Sequence, residues 1–198
     1  MIKLERFRLV LAFTSLLIAL ASPLSLSGQT EKAPQDSVPP ELQASDPDVK
    51  AYIDSAENLG QDGNYADAFQ QLQKALVLCT QKGLLADKAL LEAKLAVAYF
   101  MQGKLEDWKQ QLLSAFEDSK KTENLVLQAD TLVALSASAQ ASGKMDEALD
   151  LATRALDLAR KSKNFWIQSR CLGELGRLQI TMGKPTEARA SVGLPMVI

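Results

Sequence analysis

Four glycines stand 40 residues apart in strict register, at Gly63, Gly103, Gly143 and Gly183. A fixed period of this length means stacked supersecondary units rather than one globular core. The chain around them reads QDGNYADAFQQLQKAL, MQGKLEDWKQQLLSAF, ASGKMDEALDLATRAL and TMGKPTEARASVGLPM. Small residues recur seven before the glycine at Ala56, Ala96, Ser136 and Gly176. They recur twelve after it at Ala75, Ala115 and Ala155. Such positions let two antiparallel helices approach closely. The glycine itself suits a left-handed helix end.

Apolar residues between the glycines keep helical spacing, as at Leu91, Leu95 and Ala98. No stretch alternates with β-branched residues as a strand would. The pattern predicts an all-α chain with helices over 48–61, 65–82, 86–102, 105–121, 125–142, 145–161 and 165–182. An eighth begins near Pro185, a residue suited to the first helical position. Gly83, with Asn124 and Asn164 one register position later, suits the turns between successive pairs.

Composition narrows function. The 198 residues include no histidine and two cysteines, Cys79 and Cys171. That excludes His-based triads, Cys-His pairs, imidazole metal sites and a four-thiolate zinc site. With 22 basic and 24 acidic residues the formal charge is -2, too balanced for a nucleic-acid binder. No phosphate-binding glycine loop or nucleophile motif occurs. Asp146 and Glu147 adjoin at a helix start, where they favour the dipole rather than acid–base work. In an extended repeat array the two cysteines lie too far apart to bridge, so both are read as small buried residues.

Residues 1–21 read as a secretory signal peptide: Lys3, Arg6 and Arg8, then an apolar run from Leu9, then Ala19-Leu20-Ala21. The alternative is an uncleaved N-terminal membrane anchor. Residues 22–47 hold five of the seven prolines and read as a disordered linker, solvated and semi-extended over 29–47.

Residues 58–76 and 138–156, NLGQDGNYADAFQQLQKAL and SAQASGKMDEALDLATRAL, resemble the tetratricopeptide repeat (TPR). The period of 40 exceeds the usual ~34 and is similar to a longer-helix variant. Trp108 departs from the pattern by replacing the small packing residue found at Ala68, Ala148 and Ala188. The resemblance implies an α-solenoid of antiparallel helix pairs over 48–192, a right-handed superhelix of about 3.5 units. The units fall near 49–88, 89–128 and 129–168, with an incomplete 169–192. Residues 193–198 are left as an irregular apolar tail.

The resemblance also implies that the first helix of each pair lines a groove that holds a peptide or partner protein. Carried over by position, the groove residues are Lys50, Ile53, Glu57, Leu90, Val97, Phe100, Met101, Asp130, Val133, Gln140, Arg170 and Arg177. Arg170 and Arg177 lie about two turns apart on one face and suggest a partner with an acidic end. The opposing reading pairs them within the chain, for instance with Glu174. The chaperone-type carboxylate clamp is not expected, because Ile53 and Glu57 occupy its positions. Trp108 and Trp166 read as core.

The expected function is a non-catalytic interaction scaffold, exported or membrane-tethered, with no cofactor, metal or nucleic-acid ligand. Gly193 and Pro195 interrupt the fourth pair before a polar capping helix. Two readings follow: a fragment or frameshifted part of a longer protein, or self-association through an uncapped end.

Overall fold

The computed structural model describes residues 38–191. The expected signal peptide or anchor, most of the expected linker and the expected tail at 193–198 fall outside those residues. A short 3₁₀ turn at Pro40–Leu42 precedes eight α-helices among the described residues, and no strand occurs there. They are α1 (Pro47–Gln61), α2 (Tyr65–Lys82), α3 (Leu85–Met101), α4 (Leu105–Lys121), α5 (Leu125–Ala141), α6 (Met145–Ser162), α7 (Phe165–Thr181) and α8 (Pro185–Ser191). Consecutive helices pack as pairs, α1 with α2 through α7 with α8. Each second helix also packs on the first helix of the next pair, and α5 packs directly on α7. This is the stacked arrangement expected of an α-solenoid.

The period is written in the helix ends. Gly63, Gly103, Gly143 and Gly183 have φ of 80°, 73°, 75° and 74°. At each, the next residue's N–H reaches back five residues: Asn64 to Leu59 O, Lys104 to Tyr99 O, Lys144 to Ala139 O and Lys184 to Gln179 O. That bond closes a helix whose last carbonyls have no partner inside it.

A second left-handed stop recurs at the same 40-residue spacing after the second helices, at Gly83 (φ 68°), Glu123 (φ 55°) and Lys163 (φ 57°). Asn124 and Asn164 then cap the following helices: Asn124 Oδ1 accepts from Leu127 N, and Asn164 Oδ1 from Trp166 N and Ile167 N. Only the first of the three left-handed stops carries glycine, and a side chain in this region is strained. Replacing Glu123 or Lys163 by glycine is therefore expected to stabilise by about 0.5 kcal/mol, strain relief outweighing the entropy glycine adds to the unfolded chain. Denaturant midpoints of the single variants and the pair check this; a destabilised pair would be the contrary result.

The small residues do what their positions require. Ala75, Ala115 and Ala155 are fully buried, as are Ala96 and Ser136. Trp108 is also buried, its ring centroid 4.5 Å from that of Phe100, so the second pair accommodates the larger ring in the core. Trp166 is half-buried against the same core. The central helix α5 is enclosed on nearly all sides, with eleven of its 17 residues buried. Its hydroxyls bond locally: Thr131 Oγ1 donates to Leu127 O, and Ser136 Oγ donates across to Ala148 O in α6.

Part of the stretch expected to be a solvated spacer is not one. Residues 38–46 form a strap lying against the starts of first helices. Pro39 and Leu42 are buried, and Leu42 belongs to the core. Ser45 N, Ser45 Oγ and Asp46 N all donate to the Asp87 carboxylate in α3, at 2.8–3.1 Å. Asn124 Nδ2 donates to Glu41 O at 2.8 Å. Asp46 caps α1 through Asp48 N and Val49 N, and Lys82 at the end of α2 bridges Asp46 and Asp48. Two of its prolines begin helical elements, Pro40 the 3₁₀ turn and Pro47 helix α1. The one leucine that inserts, and its distant acceptor, carry the docking.

Candidate functional site

The candidate site is the face made by the first helices α1, α3, α5 and α7. The 40-residue register lines its residues into rows: Lys50, Leu90, Asp130, Arg170; then Ile53, Ala93, Val133, Gly173; then Glu57, Val97, Ala137, Arg177. A further row is Gly60, Phe100, Gln140 and Ile180.

Three of the twelve expected groove residues do not face solvent. Ile53, Leu90 and Val133 are 5–7% exposed and belong to the core, so they fill the space between helices. A first helix inside a stack is covered on several sides, and carry-over by position alone sets its accessible strip too wide. Val97 is 56% exposed; Phe100 and Met101 are half-buried, and Lys50 and Glu57 are exposed. Position alone also missed Ile180, 63% exposed in the row of Phe100. The register held the signal that would have found it.

Glu57, Asp130, Arg170 and Arg177 on this face are paired within the chain. Glu57 pairs with Lys94 of α3 at 2.8 Å. Arg170 sits 2.7 Å from Asp130 of α5 and over the Trp166 ring. Arg177 holds Glu174 with two nitrogens and donates to Gln140 Oε1 of α5. Ser136 Oγ also lies 3.0 Å from Glu174 Oε1, so its one proton is shared between that carboxylate and Ala148 O. The two arginines expected to receive an acidic partner therefore tie α7 to α5. The Arg177 contact, a guanidinium fork meeting a carboxylate, suits arginine.

A second polar cluster lies between α3 and α4. Lys88 pairs with Asp118 and with Glu92 at 3.1 Å, Lys121 also reaches Asp118, and Ser114 donates to Glu92. Burial works to raise the Asp118 carboxyl, but hydrogen bonds from Lys121 and Lys88 outweigh it and hold the group below its ordinary value. Asp118 and Glu92 are 5% exposed, so this cluster is structural rather than a binding surface. Cys79 and Cys171 are free and buried. Burial pushes their thiols up to about 11 and about 12, far from the reactive range. Among the described residues no group of three or more His, Cys, Asp or Glu could hold a metal. None of the described helices is long and apolar enough to cross a membrane.

No family model matches the chain, and neither does any curated protein sequence. Solved structures do match. BtubC from P. vanneervenii superposes with a TM-score of 0.63 at 20% identity, over 76% of this chain and 63% of that one. A putative kinesin light chain from Podospora anserina with nearly identical TPR-like repeats gives 0.61 at 18%, over 76% and 74%. The apo form of RapI gives 0.64 at 13%, over 75% and 54%. The fold is a TPR-like helical solenoid. This solenoid spans 63% of the length of BtubC and 54% of RapI.

Proposed function

We propose that this TPR-like chain is an exported or membrane-tethered, non-catalytic scaffold that holds a peptide or partner protein on its first-helix face. The observation that carries the reading is the apolar strip of Val97, Phe100 and Met101, with Val97 56% exposed, on a face whose ion pairs are internal. A strip of this kind loses water favourably when an apolar side chain covers it. Its partner is read as a segment with an apolar anchor. The acidic end drops out of that description because Arg170 and Arg177 already have carboxylates. The balanced charge supports a protein rather than a nucleic-acid ligand.

Val77 on α2 has the same 56% exposure as Val97 but lies on a second helix. It provides the matched control. A photo-crosslinking side chain at Val97 is expected to capture a discrete partner in the native compartment, and one at Val77 is not. Phe100→Asp should weaken capture at Val97 at least about tenfold, since an unpaired charge in an apolar contact is strongly disfavoured. Equal capture at both positions, or none at Val97, removes the reading.

A further inference from the structure

The cleft where α4, α5 and α6 meet breaks the repeat. Four of its lining residues exchange polarity against the same register positions of the flanking units. Lys109 stands where those units carry Phe69 and Leu149, and Ser138 where they carry Ala98 and Leu178. Leu113 stands where they carry Gln73 and Thr153, and Leu151 where they carry Gln111 and Ser191. Phe69 and Leu149 pack against the core and Leu178 lies within it. The two polar groups thus occupy packing positions, and the two leucines occupy positions that are otherwise polar.

The exchange leaves polar groups unmatched within the chain. Ser138 is 4% exposed, yet its hydroxyl has no hydrogen-bond partner among the described residues. The hydroxyls of Thr131, Ser136 and Ser142 nearby each bond a carbonyl. An unpaired hydroxyl at such depth is destabilising unless something else meets it. Lys109 is half-buried and pairs with no carboxylate among the described residues. The cleft between them encloses about 60 Å³, several times the ~10–15 Å³ that one water needs.

The charges of the lining select the ligand. Lys144 lies 3.5 Å from Glu147 and cancels it, which leaves the Lys109 ammonium as the unbalanced charge. That balance suits one negative charge; a doubly charged phosphate would also face Glu147. Leu113 is 38% exposed, Leu151 is half-buried and Leu135 is buried behind them. Apolar walls of this kind call for an apolar stem, which an inorganic anion lacks.

We propose that this cleft binds a monocarboxylate on a short apolar stem, with Lys109 and Ser138 holding the carboxylate and Leu113 and Leu151 the stem. None of these residues belongs to the Val97 strip, so the two readings fail independently.

The test follows leucine methyl resonances of the full chain by NMR. Isobutyrate should give saturable shifts at Leu113 and Leu151, and its neutral isostere isobutyramide should not. Lys109→Leu restores the residue type of the flanking unit, so the fold is kept, and it should weaken binding at least about tenfold through loss of a charged hydrogen bond. Ser138→Ala restores the residue of Ala98 and should weaken it about threefold. Lys74→Leu, an exposed lysine on α2, should change nothing. N-acetylalanine separates the two sources of such a group. Tighter binding of N-acetylalanine than of isobutyrate assigns the cleft to the C-terminus of a polypeptide, and the reverse order assigns it to a free acid. No saturable shift with either acid overturns the proposal. Equal binding of isobutyramide, or binding that Lys109→Leu leaves intact, overturns it as well.

Discussion

Leu132→Ala is expected to destabilise the solenoid by about 3 kcal/mol, within the range for burying a cavity where a leucine was. Leu132 is 1% exposed in the middle of α5, the helix with the most enclosed surface. Truncation leaves a hole bounded by α5 and the helices packed on it, α4, α6 and α7. Those helices are fixed by their own pairs and cannot collapse inward. For a chain of this size the loss amounts to a fall in melting temperature of about 6–12 °C.

The solenoid geometry adds a sharper expectation. Stability in a stack is approximately a sum of unit and nearest-neighbour interface terms. Leu172 holds the same register position one unit later, in α7, and is only half-buried. Leu172→Ala should therefore cost about 1 kcal/mol, roughly a third of the Leu132 value, because its side chain gives up less buried surface. Chemical denaturation of both variants checks the ratio. Equal costs would mean that α7 is as enclosed as α5, contrary to the exposure of Phe165 and Ile180.

Helix positions were readable because the signals that set them are local. Glycine ends a helix by backbone conformation, and alanine at fixed offsets sets helix approach. Both act where they stand in sequence. Glu123 and Lys163 show the edge of that legibility. They adopt the conformation of Gly83 because the register demands it, and neither residue type announces it. Glu92 is a stronger case. It occupies the register position of Leu132, so periodicity alone places an apolar residue there. A buried carboxylate survives because Lys88 lies one turn earlier and Ser114 comes in from α4.

The first-helix face was legible as rows but not as exposure. Burial of Ile53 and Val133 depends on the neighbouring unit, which no single helix encodes. The arginines required knowing that Arg170 and Asp130, 40 residues apart, fall side by side in adjacent units. The period contains that pairing once each first helix is laid on the next.

Asp87→Ala carries the other large expected effect, a loss of about 2–3 kcal/mol together with release of the strap. Asp87 is 2% exposed and gathers Ser45 N, Ser45 Oγ and Asp46 N. Hydrogen bonds to a charged acceptor are worth about 1.5–3 kcal/mol each when the alternative is an unpaired buried donor. Their sum is not the expected loss, because the strap can peel into water and recover partners there. The ceiling is the docking free energy of the strap as a whole. That is set largely by Leu42, worth about 1.5–3 kcal/mol when buried, with Asn124 holding Glu41 O beyond it. It follows that Leu42→Ala and Asp87→Ala should overlap, since either one frees the same segment. The double variant should lose less than the sum of the singles by about 1 kcal/mol, the coupling expected of residues that act through one element. Limited proteolysis should then cut between residues 38 and 45 in each variant and spare that segment in the parent. Strict additivity with the strap still protected would show that residues 38–46 are held by something other than Asp87 and Leu42.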